Sequence, residues 1–225
     1  MNWLLKTLSS TIGRKVLMAL TGIFLVLFLM VHLAGNLQLF KDDGGEAFNL
    51  YSYFMTHFLL IKLISYLLYA SILLHIIISG YITWENYKAR PVGYSVNNQS
   101  DNSTWSSRNM GILGSLIFIF LAIHLQNFWY KMHWQMDATV VYKGVKYKDL
   151  YTEVVYAFHN PWIVGLYVIG MIGLAYHLLH GFQSSFQTLG IHHQKYSSLI
   201  KVVGVLFAII VPALFAIMPI YFFFR

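Results

Sequence analysis

Five long apolar stretches dominate this sequence of 225 residues. Each is longer than the roughly 20 residues that an α-helix needs to cross a bilayer. We predict transmembrane helices over about 14–39, 58–84, 110–132, 161–187 and 199–224. The chain is 58% hydrophobic and only 10% charged, so no stretch remains for a water-soluble domain of any size. The sequence therefore predicts a single transmembrane domain over 1–225, an all-α membrane protein built as a five-helix bundle.

Local signals mark several boundaries. Asn160 before Pro161 opens the fourth helix, because Asn is a good N-cap and the first helical turn does not use the N–H that proline lacks. Pro212 and Pro219 predict kinks in the fifth helix. Residues 1–12 predict a short interfacial helix rather than a signal peptide, since no small-residue cleavage site follows an apolar core. Residues 94–109, rich in Ser, Asn and Gln, predict a solvent-exposed loop.

The lysines and arginines of the loops indicate orientation, because basic residues concentrate on the inner side of a membrane. An N-terminus inside places eight of them on the inner side and six on the outer side. The inner set is Lys6, Arg14, Lys15, Lys88, Arg90, Arg108, Lys195 and Lys201; the outer set is Lys41, Lys131, Lys143, Lys146, Lys148 and Arg225. We therefore predict an N-terminus inside and, with five helices, a C-terminus outside.

Four of the predicted helices carry a histidine in their apolar interior: His32, His75, His124 and His177. An ionisable side chain at that depth is costly and usually marks a functional site. The chain has no cysteine, which excludes iron–sulfur clusters ligated by this chain, covalently attached c-type haem and disulfides. Histidine is therefore the soft nitrogen ligand that this chain offers a metal centre.

Depth along each helix sorts the four histidines into two pairs. At a rise of about 1.5 Å per residue, His32 and His124 lie roughly 20 to 27 Å from the inner face, in the outer half of the bilayer. His75 and His177 lie on helices of the opposite direction, roughly 25 Å from the outer face. We call His32 with His124 the outer pair and His75 with His177 the inner pair.

Two axial imidazoles complete the coordination of a haem iron and leave no open position for oxygen or substrate. Two such centres at different depths would transfer electrons between the faces of the membrane. The pairs therefore predict two b-type haems, His32 and His124 holding the outer iron and His75 and His177 the inner iron. The alternative is that the four are hydrogen-bonded histidines of a polar core.

Small residues at the matching depths favour the haem interpretation, because helices that do not ligate a porphyrin must make room for its edge. Gly22 and Gly114 lie at the inner depth, ten residues before an outer histidine. Ser65 and Gly165 lie at the outer depth on the other two helices. Taken singly, small residues in membrane helices are more often packing motifs.

The remaining histidines have ordinary explanations. His57, His133, His159, His192 and His193 fall at helix ends or in loops, where solvated or interfacial histidines are usual. His180 follows His177 by three residues and shares roughly its helix face, one turn nearer the inner surface.

Several motifs resemble the di-haem cytochrome b membrane-anchor subunit of succinate:quinone oxidoreductases, the cytochrome b558 family. The segment 175–190 (AYHLLHGFQSSFQTLG) resembles the fourth core helix of that family. Thr21-Gly22, the stretch 32–40 (HLAGNLQLF) and the stretch 124–129 (HLQNFW) are similar to the corresponding parts. The resemblance covers essentially the whole chain. In the family the fourth ligand stands four residues before a glycine, which matches His177 before Gly181 and makes His180 a neighbour.

The resemblance implies a subunit of a respiratory complex in a bacterial cytoplasmic membrane. Its partners would be a flavoprotein subunit and an iron–sulfur subunit on the inner face, together with the lipid bilayer, and we expect no nucleic-acid partner. Electrons from succinate would pass through the two haems b to menaquinone or another quinone. The succinate site would lie in the flavoprotein, and electron transfer to the quinone in this chain.

Supporting residues follow from charge and position. Haem propionates need cationic or hydrogen-bonding partners; the candidates are Arg14, Lys15, Trp105 and Arg108 near the inner mouth and Trp129 and Lys131 near the outer mouth. The alternative is the ordinary belt of basic and aromatic residues at helix ends. Some fumarate reductases of this family have a glutamate near the start of the second helix that takes part in quinol proton release. Glu46 is the candidate for this role here. The alternative is that Glu46 is an ordinary solvated acidic residue of the loop.

One departure bears on the direction of the reaction. Some fumarate-reducing relatives carry a buried glutamate two residues before the fourth ligand, where this chain has Ala175. That favours a succinate dehydrogenase whose electron transfer is electrogenic. Two other classes stay open: the cytochrome b subunit of a formate dehydrogenase or hydrogenase, and a histidine-containing membrane transporter. Transporters usually need broken helices and intramembrane carboxylates, and the first four predicted helices contain no acid except Glu85 near an end.

Overall fold

The computed structural model of the chain describes residues 3–89, 99–191 and 193–225. Arg90 and His192 lie outside that part. Within it, five helical spans are long and apolar enough to cross a membrane: Thr11–Phe40, Leu59–Lys88, Met110–Gln135, Pro161–Thr188 and Ser197–Phe224. All five predicted helices are therefore present, and their ends differ from the predicted ones by at most four residues, as at Lys88 against 84. The chain forms a mostly helical bundle of the multi-pass membrane type.

The spans are built from α-helices with short irregular ends. The first is α2 (Thr11–Asn36) extended by a 3₁₀ turn (Leu37–Phe40), and the second is α4 (Leu59–Lys88). The fourth is α9 (Pro161–Thr188) and the fifth is α10 (Ser197–Phe224). Helices satisfy every backbone hydrogen bond within the segment, which is what a bilayer requires of a spanning structure. The helix α10 continues through Pro212 and Pro219, the two positions at which kinks were predicted.

The third span changes its helix type directly after a functional candidate. It is an α-helix, α7 (Met110–His124), followed by a π-helix over Leu125–Gln135. Sequence reasoning predicted one uniform helix over 110–132, because a π-helix has no distinct hydrophobic period over so short a stretch. π-Helical turns are uncommon and often occur at functional sites. Here the change falls at His124.

Short helices lie at the end of the bundle where the first span begins. The helix α1 (Trp3–Ser9) precedes α2, as the interfacial helix predicted over 1–12 requires. Ser10 caps α2, its hydroxyl accepting from the Gly13 N–H at 3.0 Å. Of the loop predicted over 94–109, the described part contains α5 (Gln99–Asn102) and α6 (Trp105–Arg108).

A small cap covers the opposite end of the bundle, and sequence reasoning missed it. It consists of α3 (Glu46–His57), a hairpin of β1 (Thr139–Tyr142) and β2 (Val145–Lys148), and α8 (Leu150–Phe158). The strands are antiparallel, with Thr139 opposite Lys148. Lys143 and Gly144 turn the hairpin with positive φ values of 49° and 79°.

A buried amide ties the cap together. Asn49 on α3 is 1% exposed. Its Nδ2 donates to Asp149 Oδ1 at 3.1 Å and to the Tyr142 hydroxyl at 3.2 Å, and its Oδ1 accepts from the Tyr151 N–H at 2.9 Å. One side chain thus joins α3 to the hairpin and to α8.

The hydrophobic core lies beneath this cap. Its buried members come from the first span, α3, α8, α9 and α10 and include Leu39, Phe48, Phe158, Tyr167 and Phe222. Among the long helices, α9 packs against α2, α7 and α10, and α2 also packs against α4. Large apolar side chains cover the outer surface of the bundle, as expected where lipid is the solvent. The bundle thereby brings α2, α4, α7 and α9, the four histidine-bearing helices, side by side.

Candidate functional site

The two histidines of the outer pair face each other across the bundle. His32 on α2 and His124 at the end of α7 have ring centres 5.8 Å apart and ring planes at 89°. Aromatic side chains surround them: Phe28 stacks on His32 at 5.1 Å, Phe120 stacks on His124 at 5.6 Å, and Phe215 of α10 lies 5.5 Å from His32. The outer pair therefore sits among apolar aromatic rings.

The inner pair is arranged in the same way on the other two helices. His75 on α4 and His177 on α9 have ring centres 6.3 Å apart and planes at 60°. The ring that faces His75 is that of His177; no ring contact joins His75 to His180 in the described part of the chain. Two glycines are close neighbours of this pair. A Cβ on Gly22 would lie 3.6 Å from His75 Cε1, and one on Gly181 would lie 4.0 Å from His177 Cδ2.

These separations suit two axial ligands of one metal ion. A metal–imidazole bond is about 2.0–2.1 Å and a ring centre lies about 1.1 Å behind its nitrogen, so two opposed imidazoles place their centres about 6.2 Å apart. The observed values of 5.8 and 6.3 Å lie close to that figure. The spacing of both pairs therefore fits a metal ion between the rings.

The number of ligands restricts the kind of metal centre. No group of three or more His, Cys, Asp or Glu side chains that could hold a metal ion occurs among the described residues. Structural zinc sites need four protein ligands, so two imidazoles alone do not make one. A haem would supply four nitrogen ligands from its porphyrin and would need only two more from the protein. The donor sets present fit a haem better than a bare ion.

The ring nitrogens differ in their hydrogen bonds. His75 Nδ1 lies 3.0 Å from the Thr21 hydroxyl of α2, and His124 Nδ1 lies 3.3 Å from the Tyr167 hydroxyl of α9. The Asn36 amide approaches the His32 ring at 3.4 Å but donates at 2.8 Å to the backbone carbonyl of His32. His177 Nδ1 is buried without a hydrogen-bond partner. One imidazole of each pair is thus held by a hydroxyl from another helix.

The structure places only some of the predicted small residues beside the histidines. Gly22 lies against the inner pair, between His75 and the Ser185 hydroxyl, which would be 3.3 Å from a Cβ at position 22. Gly114 and Gly165 have no neighbouring atom within 4 Å of the Cβ position. The Ser65 hydroxyl donates to the Ile61 carbonyl of its own helix at 2.9 Å. A role of the last three in making room for a cofactor stays a prediction.

The candidates at the inner mouth lie on different helices. The Arg14 guanidinium stacks over the Tyr81 ring of α4 at 4.5 Å. The Trp105 ring contacts that of Tyr176, the residue before His177, at 5.2 Å. Lys15 is exposed, and Arg108 donates to the backbone carbonyl of Ser103. These contacts place Arg14 against α4 and Trp105 against α9, the two helices that carry the inner pair.

The candidates at the outer mouth are held by neighbouring side chains. Trp129 Nε1 donates to the Tyr69 hydroxyl of α4 at 2.9 Å. Lys131 forms an ion pair with Glu153 of α8. Glu46 begins α3, in the turn where the helix dipole favours an acidic side chain, and it is half-buried. Trp129 and Lys131 both lie on the π-helix that follows His124.

A cavity of about 640 Å³ opens at the cap end, beside the first turn of α9. It is lined by Asn127, Lys131, Tyr156, His159, Asn160 and Trp162, among others. Asn127 follows His124 by three residues, and its Nδ2 is buried without a hydrogen-bond partner. Glu46 does not line this cavity. The volume lies within the range of small-molecule sites.

The histidines predicted at helix ends or in loops are exposed where the structure describes them, at positions 57, 133, 159 and 193. His57, His133 and His159 each place Nδ1 within 2.7–2.8 Å of a backbone carbonyl one turn earlier in the chain. His193 lies in the turn before α10. Within the described residues, none of these four histidines forms a ring contact or a hydrogen bond with either histidine pair.

Sequence reasoning missed Tyr167, Asn127 and the hydroxyl of Thr21 as neighbours of the site. Thr21 stood within a recognised motif, but nothing in the sequence indicated which side chain its hydroxyl meets.

No protein-family model, no curated protein and no solved structure matches this chain.

Proposed function

We propose that this chain is the di-haem cytochrome b membrane anchor of a succinate:quinone oxidoreductase in a bacterial cytoplasmic membrane, with its N-terminus inside. A flavoprotein and an iron–sulfur subunit would bind its inner face, and a quinone, menaquinone or another, would accept electrons at the outer end. The proposal extends the resemblance of four sequence segments, which cover the regions of His32, His124 and His177.

The observation that carries the proposal is the pair of opposed imidazoles at each of two depths. Each pair joins two different spans, His32 with His124 and His75 with His177, at ring separations of 5.8 and 6.3 Å. A polar core of four satisfied histidines would give every ring a hydrogen-bond partner. His177 Nδ1 is buried without such a partner, so the protein alone does not satisfy all four rings.

The residues of the chain would hold the two centres and exclude water from them. Haem, when bound, supplies one-electron transfer. His32 with His124 and His75 with His177 would each hold one iron and would leave no coordination position for a substrate, so the site would favour electron transfer over chemistry at the metal. Phe28, Phe120 and Phe215 enclose the outer pair in apolar surface. Arg14, Lys15, Trp105 and Arg108 at one mouth and Trp129 and Lys131 at the other would partner the propionates.

The quinone would bind in the cavity beside α9. Asn127 lines this cavity, and an amide N–H is a donor that a quinone carbonyl would accept from. Since Asn127 stands one turn from His124, that position is also next to the outer pair. Glu46 lies at the same end of the bundle and would release protons to the outer side.

Succinate oxidation is the favoured direction. Ala175 stands where some fumarate-reducing relatives have a proton-carrying glutamate. Without a compensating proton path, each electron crossing the membrane works with or against the potential, at about 2.3 kcal/mol per 100 mV. An uncoupler should therefore change the rate at which succinate reduces quinone in membranes. A rate indifferent to the uncoupler would contradict this part of the proposal.

The proposal is tested by spectroscopy of the purified chain. The reduced-minus-oxidised spectrum should show two b-type haems per chain. Replacing His32 or His124 by alanine should remove one of them, and replacing His75 or His177 the other. A colourless wild-type protein ends the proposal. Co-purification of a flavin-containing and an iron–sulfur subunit with succinate dehydrogenase activity separates this complex from a formate dehydrogenase or hydrogenase.

A further inference from the structure

Thr21 is one of three buried polar residues in the described part of the chain, at 8% exposed. It lies on α2, the helix of His32, but its hydroxyl points at a histidine of the other pair. The distance from Thr21 Oγ1 to His75 Nδ1 on α4 is 3.0 Å. Burying a hydroxyl in apolar surroundings costs free energy unless its hydrogen bonds are made. Which of the two groups donates in this hydrogen bond determines the effect of Thr21 on His75.

The proton of the hydroxyl is already used. Thr21 Oγ1 lies 2.8 Å from the Leu17 carbonyl and 3.1 Å from the Met18 carbonyl of its own helix. A carbonyl can only accept, and a threonine hydroxyl has a single proton to donate. With its proton directed at the nearest acceptor, the Leu17 carbonyl at 2.8 Å, Thr21 presents a lone pair to α4. In that arrangement His75 Nδ1 carries the hydrogen and donates to Thr21.

This direction selects one tautomer of the neutral imidazole. With the hydrogen on Nδ1, the free lone pair of His75 is on Nε2, the nitrogen farther from the backbone. The opposite tautomer would require the Thr21 hydroxyl to turn away from both carbonyls and donate to Nδ1 instead. The bond also fixes the rotation of the ring about its side-chain torsions.

We propose that Thr21 is the positioning residue of the inner pair: it holds His75 as the Nδ1–H tautomer, with Nε2 ready to bind iron. The identity of the ligand rests on the function proposed above, whereas the tautomer does not.

The rest of the inner site makes Thr21 more important. In the described part of the chain, Thr21 supplies the only protein hydrogen bond to a ring nitrogen of this pair, because His177 Nδ1 has no partner. The next residue, Gly22, lets the two helices approach, since a Cβ there would already lie 3.6 Å from the His75 ring. Residues 21 and 22 of α2 thus act on His75 by a hydrogen bond and by clearance.

When Nδ1–H of a ligating imidazole donates to an acceptor, Nε2 becomes a more basic ligand. A more basic ligand stabilises oxidised iron over reduced iron. Removing the acceptor should therefore weaken haem binding at the inner site and raise its midpoint potential. The outer pair has its own hydroxyl, Tyr167 near His124, and should not respond.

Three variants of the full-length chain separate this role from packing. Thr21→Val keeps the shape and removes the hydroxyl, Thr21→Ser keeps the hydroxyl, and Thr83→Val makes the same change on α4 beside Gly111, away from both pairs. Redox titration of the purified protein should show a higher midpoint potential for the inner haem in Thr21→Val alone. We expect about a tenfold change in its oxidised-to-reduced ratio at fixed potential, which is 59 mV for one electron.

The second measurement does not depend on haem. In the haem-free protein, ¹⁵N NMR of the His75 imidazole should show the Nδ1–H tautomer for wild type, Thr83→Val and Thr21→Ser, and the Nε2–H tautomer for Thr21→Val. An unchanged tautomer in Thr21→Val overturns the inference. If the tautomer switches but the wild-type chain binds no haem, the proposed function fails and the role of Thr21 stands. If the wild-type chain binds haem and Thr21→Val changes neither the potential nor the tautomer, the proposed role of Thr21 fails and the proposed function stands.

Discussion

Gly22 gives the sharpest prediction about the inner site, because the clearance at its Cβ position is known. A Cβ there would lie 3.6 Å from His75 Cε1 and 3.3 Å from the Ser185 hydroxyl. Carbon atoms meet at about 3.5–4.0 Å, so alanine fits with a shift of a few tenths of an ångström at Ser185. Alanine also gains about 0.8–1.0 kcal/mol of helix propensity over glycine.

Leucine at the same position has no such room. A further carbon adds about 1.5 Å, so a rotamer directed at α4 would bring Cγ to about 2 Å from the His75 ring, far inside contact distance. The ring or the helix must move. Overpacking of this kind costs typically about 1–3 kcal/mol, and it acts on the side chain that the inner metal would need.

We therefore expect Gly22→Ala to retain two haems per chain and Gly22→Leu to retain only the outer one. Haem stoichiometry and the reduced-minus-oxidised spectrum of the purified variants measure this. Gly80→Leu is the matched control, because Gly80 lies on α4, is exposed, and has no atom within 4 Å of its Cβ position. Two unaltered haems in Gly22→Leu would refute the placement of a cofactor between His75 and His177.

The other predictions concern the fourth ligand and the cap. His177→Ala should remove the inner haem whereas His180→Ala keeps it, since only the His177 ring faces His75; equal loss in both, measured by haem content, would contradict this. Asn49→Ala should lower the unfolding free energy by about 1–3 kcal/mol, because three partners lose a buried hydrogen bond. The melting temperature in detergent measures this effect, and a value equal to that of wild type would contradict it. Burial raises the pKa of Tyr51 above its usual 10, so the folded state holds this proton more tightly than the unfolded state. Its contribution to stability is complete below about pH 10 and is lost as the pH rises through the raised pKa. An alkaline unfolding series of Tyr51→Phe should therefore fall less steeply than that of wild type, and parallel curves would refute this.

Much of the bundle follows from the sequence because its causes are local. Hydrophobic length sets the spans, and the fixed rise of a helix converts positions 32, 75, 124 and 177 into depths. Gly22 was placed at the inner depth by counting alone, and in the structure a Cβ at that position would lie 3.6 Å from the His75 ring. The cap was missed for the opposite reason. The hairpin and α8 are short, and Asn49 holds them through hydrogen bonds to residues about 100 positions away.

The sequence by itself determined which helices are long and apolar enough to cross a membrane and how far along each helix its histidine stands, since both depend on rise and hydropathy within a single segment. Depth had already predicted the two pairings and the resemblance had favoured His177, but only the tertiary structure brought the paired rings to 5.8 and 6.3 Å and placed the Thr21 and Tyr167 hydroxyls beside them. Those facts depend on the rotation of each helix about its own axis and on its neighbours. Packing between helices far apart in sequence sets this rotation, so it cannot be derived from the positions of residues along one helix.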